Sequence, residues 1–297
     1  MARFLGRVLL SWAFLALFGA IGGVLAFGFL VGRPKVGVIT VPFTILFTDS
    51  VREISVHLQY ARERPDIQAV VLKMTSPGGG VSASEEFFLQ MYELRQKKPL
   101  VVAVDSFALS GGYMGLMGAN YIFVKPSSLV GNVGATLFLP PRGLGRPTEQ
   151  FIPTGPFKAE GASFRMYVNL LEQVKEAFAD IVWSQRGDRL FPGVSRTEAY
   201  QRFREEVLTG RLYIGSEGVR IGVADEVGTD ADAIRKAARL ARIRFYSLVD
   251  VNREVERLKT AGLGLYSGPT AKPYKSVREF LATPEFPYIY YLYVEPR

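Results

Sequence analysis

Short apolar runs typical of buried strands alternate with amphipathic helical segments along this chain of 297 residues. The strand-like runs are rich in aliphatic and β-branched residues and occupy residues 35–41, 67–75 and 99–105. Apolar positions at helical spacing predict helices within residues 48–66, 82–98 and 164–186. Because the connections between these segments are short, the pattern predicts βα units and a largely parallel sheet.

Local signals set the expected ends of these elements. Asp49 or Ser50 is the predicted N-cap of the first helix, and "SASE" at the start of 82–98 is typical of a capping box. The glycines of "SPGGG" predict an end to the strand at 67–75. Further expected elements are a second late helix at 197–207, strands at 121–124 and 288–294, and a loop at 131–148.

The N-terminus carries an uncharged run from residue 8 to residue 31, with Arg3 and Arg7 before it and Arg33 and Lys35 after it. About 20 apolar residues cross a bilayer as a helix. A signal-peptide apolar region is shorter and ends in a small-residue cleavage site, which is missing here. We therefore expect a transmembrane anchor, with a cleaved signal as the alternative. The positive charges on the two flanks are nearly balanced and orient the anchor only weakly.

The composition excludes several classes of site. The chain has no cysteine, which rules out disulfides, thiolate metal sites and a cysteine nucleophile. No His/Asp/Glu cluster has metal-ligand spacing, and no dinucleotide or Walker motif occurs, so we expect no metal and no cofactor. The net charge of +8 is dispersed, and no nucleic-acid-binding motif accompanies it.

The densest basic run, residues 234–244, has the spacing of an amphipathic helix. Its predicted inward positions are Ile234, Ala238 and either Leu240 or Ala241. A solvated helix face is the favoured interpretation of its charge, and an anionic partner is the alternative.

The stretch "VDSFALSGGYMG" places Ser110 between an apolar run and two glycines. Such a serine is common in simple turns, and it becomes a nucleophile only where a base accepts its proton. The one histidine of the chain, His57, lies inside a predicted helix, which argues against a Ser-His-Asp triad. A lysine base is the remaining option, and it has to be desolvated because free lysine has a pKa of about 10.4.

Lys158, in "IPTGPFKAEGASFR", is one candidate base among several lysines. Its neighbours Phe157 and Ala159 are apolar, whereas Glu160 could keep its amine charged. An oxyanion site needs backbone N–H groups aimed at the developing negative charge. Gly111, at a probable helix start, and Gly78 or Gly79 of "TSPGGG" are the candidates, although each stretch is also typical of an ordinary turn.

Five segments, in order over roughly residues 36–245, together resemble peptidase family S49, the membrane-anchored signal peptide peptidase A group. They are "VVLKMTSPGGGVSAS", "PLVVAVDSFALSGGYMG", "KPSSLVGNVGA", "GPFKAEGASFR" and "LTGRLYIGSEGVRIGVADEVG". The resemblance implies an α/β fold of the Clp-protease/crotonase type, with β-β-α units stacked as a superhelix. It divides the chain into an anchor (1–34), a peptidase domain (35–250) and a C-terminal extension (251–297).

The same resemblance implies roles for particular residues. Ser110 falls on the nucleophile of the family, Lys158 on its general base, and Gly111 with Gly78 or Gly79 on the oxyanion hole. Asn132 stands in "GNVG" where the family carries a small hydroxyl residue that orients the lysine. An amide oxygen can accept the same hydrogen bond.

The expected function is therefore that of a single-pass serine endopeptidase of the cell membrane, with its catalytic domain outside the cytoplasm. The resemblance implies hydrophobic peptide substrates, such as remnant signal peptides or membrane-protein segments, and a homo-oligomeric ring of about eight protomers. A related branch that cleaves stomatin-like partners stays open. Two alternatives of other classes are a non-catalytic membrane scaffold and a soluble acyl-CoA enzyme of the crotonase type; the expected anchor argues against the second.

Overall fold

Parallel strands form the centre of the molecule. The computed structural model describes residues 14, 16–20, 22–23, 33–138, 163–262, 276–281 and 289–292. The strands within them are β1 (Lys35–Leu46), β2 (Ile67–Gly80), β3 (Leu100–Leu109), β4 (Tyr121–Val124), β5 (Leu129–Gly131), β6 (Thr136–Leu137), β7 (Leu212–Ile214), β8 (Glu226–Val227), β9 (Ser247–Asp250) and β10 (Ile289–Leu292).

The helices connect and cover these strands. They are α1 (Thr48–Glu63), α2 (Val81–Lys97), α3 (Gly111–Leu116), α4 (Phe164–Arg186), α5 (Arg196–Arg202), α6 (Gly215–Ile221), α7 (Asp230–Leu240), α8 (Val251–Thr260) and α9 (Val277–Leu281). A π-helical turn, Phe203–Val207, directly follows α5. The mixed α/β architecture and the predicted alternation of strand and helix are confirmed.

One half of the sheet is entirely parallel, in the order β9-β1-β2-β3-β4-β8. Successive side chains of its strands point to opposite faces. On one face Val70, Leu72 and Met74 of β2 join the large apolar core. On the other face Ala69 and Val71 belong to a smaller cluster.

Helix α7 covers that smaller cluster with three alanines, Ala233, Ala237 and Ala238. The prediction of Ala238 as an inward residue is confirmed, and Ile234 and Ala241 also pack against this cluster. Of the two alternatives at the end of the helix, Ala241 is therefore the inward one, whereas Leu240 is 42% exposed. The helix turns the alanine stripe toward the sheet, because small residues let it approach the strands closely, and this rotation carries Leu240 to the solvent side.

The other half of the sheet begins where β2 and β3 change partners. Residues 101–104 of β3 pair with β4, whereas residues 107–109 pair with β5. The last residues of β2, Gly78–Gly80, pair antiparallel with β10, which also pairs with β6. The sequence predicted an end to β2 at "SPGGG", and this is wrong, because pairing with β1 and β10 keeps these glycines in the sheet.

The predicted N-caps of the first two helices are also wrong. Phe47 is the N-cap residue of α1, and Ser50, at the third helical position, accepts a hydrogen bond from the Phe47 N–H at 2.8 Å. Gly80 is the N-cap of α2 and contributes no side chain. Both helices start directly at the end of a strand, so the path of the strand sets the start of each helix.

Across the residues described, no helix combines the length and the apolar character that crossing a membrane requires. Most of the predicted anchor, residues 8–31, lies outside the described residues, as does most of the predicted loop at 131–148. The superhelical arrangement and the three-part division of the chain stay predictions.

Candidate active site

Ser110 occupies a sharp corner between β3 and α3. Its backbone has φ 53° and ψ −122°, a combination that a residue with a side chain rarely adopts. Its N–H donates to the Gly131 carbonyl at 2.9 Å, and its own carbonyl accepts from the Met114 N–H at 2.9 Å. These bonds hold a strained residue in place, a feature that often marks a functional site.

The Ser110 side chain is buried, with 2% of the residue exposed. Serine is a favoured N-cap because its oxygen can accept a bond from the first helical amides. Ser110 is the N-cap of α3, yet its hydroxyl makes no such bond. The corner therefore presents a buried hydroxyl that its own helix does not use, as strained strand-to-helix turns do for nucleophilic serines in other hydrolases.

Glycines within α3 and directly after it allow close packing of this helix on its neighbours. A Cβ added to Gly112 would lie 2.8 Å from the Ser76 carbonyl oxygen. One added to Gly115 would overlap the Phe87 ring, and one added to Gly118 would overlap Met91. The "SGGYMGLMG" pattern thus reflects close packing of α3 on β2 and α2.

Gly111 is the first residue of α3 and is buried. The first amides of an α-helix have no acceptor within the helix. The N–H of Gly111 therefore has no acceptor within α3, and its role as an oxyanion donor stays a prediction.

The two other predicted oxyanion glycines differ from each other. Gly78 has φ 97°, which favours glycine, and its N–H donates to the Ser76 hydroxyl at 3.2 Å. A Cβ on Gly79 would overlap the backbone of Leu46 at the end of β1. The missing side chain of Gly79 thus serves the contact with β1, and its role as an oxyanion donor stays a prediction.

Asn132 adjoins the serine corner through the backbone. It follows Gly131, which accepts the Ser110 N–H, and its own φ is 58°. Its side-chain Nδ2 donates to the Gly210 carbonyl at 2.7 Å. A carbonyl can only accept, so this bond fixes the amide orientation and leaves Oδ1 as an acceptor directed elsewhere.

A buried network of hydrogen bonds and one ion pair anchors α3. The Tyr113 hydroxyl donates to the Val223 carbonyl at 2.9 Å, and burial raises the pKa of Tyr113 above its usual value. The nearby Arg186 and Asp225 form a buried ion pair at 2.9 Å, and Asp225 also accepts the Ile122 N–H at 2.8 Å. Among the described residues, no buried side-chain donor or acceptor of this network lacks a partner, and such fully bonded networks make the structure under the serine corner rigid.

His57 is tied to its own helix. It is buried on α1, and its Nδ1 donates to the Glu53 carbonyl at 2.9 Å. Burial, the largest cause, lowers the pKa of His57, which favours the neutral ring. The ring is thus bonded to the backbone of its own helix, which agrees with the sequence-based argument against a Ser-His-Asp triad.

Lys158 and Glu160 lie outside the described residues. The pairing of Ser110 with a lysine base therefore stays a prediction. Among the residues that the structure describes, no group of three or more His, Cys, Asp or Glu could hold a metal ion.

Comparison with known proteins relates these features to a family. A model described as Peptidase family S49 matches residues 92–141. A protein designated a protease in Methanocaldococcus jannaschii is 30% identical over 215 residues, which cover 68% of this chain and 65% of that protein. Over the segment that carries Ser110, the chain is similar to peptidase family S49.

Two further relatives come from bacteria. Protease 4 of Salmonella typhi is 29% identical over 197 residues, 63% of this chain and 31% of that protein. A protein designated signal peptide peptidase SppA in Enterococcus faecium is 24% identical over 214 residues, 70% of this chain and 61% of that protein. The chain thus spans between about a third and two thirds of these relatives.

The S49 model match includes Ser110, Gly111 and Asn132, and it leaves Gly78, Gly79 and Lys158 outside. Sequence reasoning did not find Ser76, which the structure buries between β1, β3 and α3. The signal that could have revealed it is Pro77, because a proline inside a strand removes an amide donor that another group has to replace.

Proposed function

We propose that this chain is a serine endopeptidase with Ser110 as its nucleophile. One observation carries the proposal: Ser110 is held in a strained corner, buried, with a hydroxyl that does not cap its helix. An ordinary turn serine has no reason to maintain this combination. The proteases among its relatives support the same chemistry.

The proposed reaction is a two-step acyl transfer. Neutral Lys158 accepts the Ser110 hydroxyl proton while the oxygen attacks the scissile carbonyl carbon. The N–H groups of Gly111 and of Gly78 or Gly79 stabilise the oxyanion. The lysine then gives its proton to the leaving amine, the acyl-enzyme forms, and water attacks it to release the acid and restore both side chains.

A lysine acts as a base only when its amine is neutral, which requires an apolar setting and a hydrogen-bond partner that does not favour the charge. The Oδ1 of Asn132 is the proposed partner of the Lys158 amine. The Nδ2 of Asn132 donates to the Gly210 carbonyl, which fixes the orientation of the amide, and Oδ1 is the side-chain atom that can accept a hydrogen bond from the lysine.

The substrates that we propose are hydrophobic peptides, such as remnant signal peptides or membrane-protein segments. Residues 8–31 are the proposed single-pass anchor in the cell membrane, with the peptidase domain on the extracytoplasmic side. The proposed assembly is a homo-oligomeric ring of Clp-protease/crotonase-like protomers. The designation of the Enterococcus faecium relative as a signal peptide peptidase supports this substrate class.

The test is active-site labelling of the full-length chain with a fluorophosphonate, followed by peptide mapping. We expect the label on Ser110, and we expect Ser110→Ala and Lys158→Ala to abolish both labelling and hydrolysis of a fluorogenic apolar peptide. Ser195→Ala, another helix-start serine, is the control and keeps both. Hydrolysis that survives in Ser110→Ala would eliminate the proposal in favour of another nucleophile, and an unlabelled, inactive wild type would favour the scaffold alternative.

A further inference from the structure

Ser76 joins the two halves of the proposed oxyanion site. It is fully buried, at 0% exposure, and belongs to the bent part of β2. One half of the proposed site is the amide of Gly111 at the start of α3, and the other is a loop amide, that of Gly78 or Gly79. Ser76 contacts elements from both halves.

The first contact is with β1 and replaces a missing backbone donor. Phe43 pairs with Thr75 and Ile45 with Gly78, so Thr44 lies opposite both Ser76 and Pro77 at a bulge in β2. Pro77 has no N–H with which to satisfy the Thr44 carbonyl. The Ser76 hydroxyl donates to that carbonyl instead, at 2.6 Å.

The second contact is with the loop itself. The same hydroxyl accepts the Gly78 N–H at 3.2 Å. A chain of hydrogen bonds therefore runs from Gly78 through Ser76 to Thr44, and each bond polarises the next. This chain fixes where the Gly78–Gly79 backbone lies relative to the end of β1.

The third contact is with α3. A Cβ on Gly112 would lie 2.8 Å from the Ser76 carbonyl oxygen and 3.0 Å from its Cβ, so the helix start rests directly on Ser76. Ser76 also pairs with Ala108 on β3, two residues before the serine corner. The position of Ser76 thus determines the separation between the loop amides and the Gly111 amide.

We infer that Ser76 is a positioning residue of the oxyanion site: its hydroxyl holds the Gly78 N–H and thereby places the adjoining Gly79 amide, which is the loop donor left for the oxyanion. The inference rests on the proposed peptidase function. Oxyanion donors act only at the distance that the tetrahedral oxygen requires, and loss of one donor lowers kcat by about 100–1,000-fold. Loss of the Ser76 hydroxyl would displace an oxyanion donor without removing it. We therefore expect kcat to fall by roughly 10–100-fold, which is less than the effect of losing a donor outright.

The test measures hydrolysis of a fluorogenic apolar peptide by Ser76→Ala in the full-length chain. This variant removes the hydroxyl and keeps the Cβ that faces Gly112. We expect the fall in kcat with KM within about twofold, since the effect concerns transition-state stabilisation alone. Inhibition by a matching peptide aldehyde, whose adduct places an oxyanion in the same site, weakens in proportion.

Ser84→Ala is the matched control. Ser84 is also fully buried, and its hydroxyl donates to the carbonyl of Gly80 at 2.8 Å, at the end of the same strand. It makes no bond to the loop amides within the described residues. We expect Ser84→Ala to lower the melting temperature about as much as Ser76→Ala while kcat stays within twofold of the wild type.

Ser76→Thr separates positioning from stability. It restores the hydroxyl but adds a methyl group in a fully packed site beside Gly112, which lowers the melting temperature further. We expect its kcat to exceed that of Ser76→Ala although it is the less stable protein. If Ser76→Ala does not fold, Ser76→Thr is compared with Ser84→Ala, and its kcat then stays within tenfold of that control.

Three outcomes overturn the inference: wild-type kcat in Ser76→Ala, a kcat ranking that follows melting temperature, or unchanged inhibition by the aldehyde. Each presupposes an active wild type that is labelled at Ser110. An inactive wild type, or an active Ser110→Ala, would instead remove the proposed function, so the two failures are distinct.

Discussion

Ser110 and Ser195 each begin a helix of this molecule, and the two serines do opposite things. Ser195 starts α5 with φ −65° and ψ 155°, lies exposed, and accepts the Glu198 N–H at 3.2 Å. Ser110 starts α3 with φ 53° and ψ −122°, lies buried, and caps nothing. Ser163, at the start of α4, behaves like Ser195.

The difference shows what the fold gives up at Ser110. A capping serine stabilises a protein by about 1 kcal/mol relative to alanine. A residue held in a sparsely populated backbone region costs about 1–3 kcal/mol. Ser110 lacks the stabilisation of a helix cap and carries the cost of the strained backbone. The close packing of the glycines around α3 holds it in this conformation. Such a combination is expected where the hydroxyl is kept for chemistry.

The largest expected effect concerns activity. Ser110→Ala is expected to lower hydrolysis of an apolar fluorogenic peptide by at least about 1,000-fold, because removal of a nucleophile leaves only binding and the oxyanion donors. Ser195→Ala stays within twofold of the wild type. Steady-state kinetics on the two purified variants decide the matter, and equal activities would break the contrast between the two serines.

The next effect concerns the packing that enforces the strain. Gly115→Ala on α3 forces a methyl group into the Phe87 ring, and overpacking of this kind costs about 1–3 kcal/mol. Gln201→Ala, on the exposed face of α5, changes stability by less than about 0.5 kcal/mol. Urea unfolding provides both values. An unchanged free energy of unfolding in Gly115→Ala would mean that α3 is not tightly packed against Phe87.

A smaller effect has opposite signs at the two serines. Ser110→Gly removes the side chain that makes φ 53° costly, so the free energy of unfolding rises by about 1 kcal/mol. Ser195→Gly lowers it by a few tenths, the usual cost of replacing a capping serine by glycine. Thermal and urea unfolding of the pair check the signs. A fall in stability for Ser110→Gly would show that the corner is unstrained.

The smallest effect tests whether His57 has any part in the reaction. The pKa of His57 is lowered in the folded state, so its contribution to stability is present above the unfolded value of about 6.5 and is lost as pH falls through the lower folded value. His57→Gln is expected to flatten that acid-side loss and to leave the pH profile of kcat unchanged. A changed pH profile would make histidine, rather than lysine, the partner of Ser110.

The sequence predicted the parts of the fold that follow from local periodicity. Helix α4 and strand β4 have the predicted bounds, and β10 falls within the predicted strand. The extension of β2 through Gly80 was missed, because glycine has low intrinsic strand propensity and tertiary pairing overrides it here.

For the candidate site, the sequence identified Ser110 and its neighbouring glycines, but not how they differ. The strain at Ser110 and the role of Gly79 against Leu46 depend on contacts between distant strands, which no local pattern encodes. Ser76 is inconspicuous for the same reason, since its partner Thr44 lies 32 residues away. The Lys158 pairing rests on the family resemblance.

The placement of β10 has a practical consequence for experiments on this chain. Leu292 pairs with Gly78, so the C-terminal strand runs beside one of the proposed oxyanion glycines. Five residues follow Leu292 up to Arg297, so an affinity tag fused after Arg297 would begin six residues beyond Leu292. A tag at that end would lie close in sequence to the strand that pairs with Gly78, and it could alter the kcat values that the comparisons depend on. A tag that a protease removes avoids this artefact.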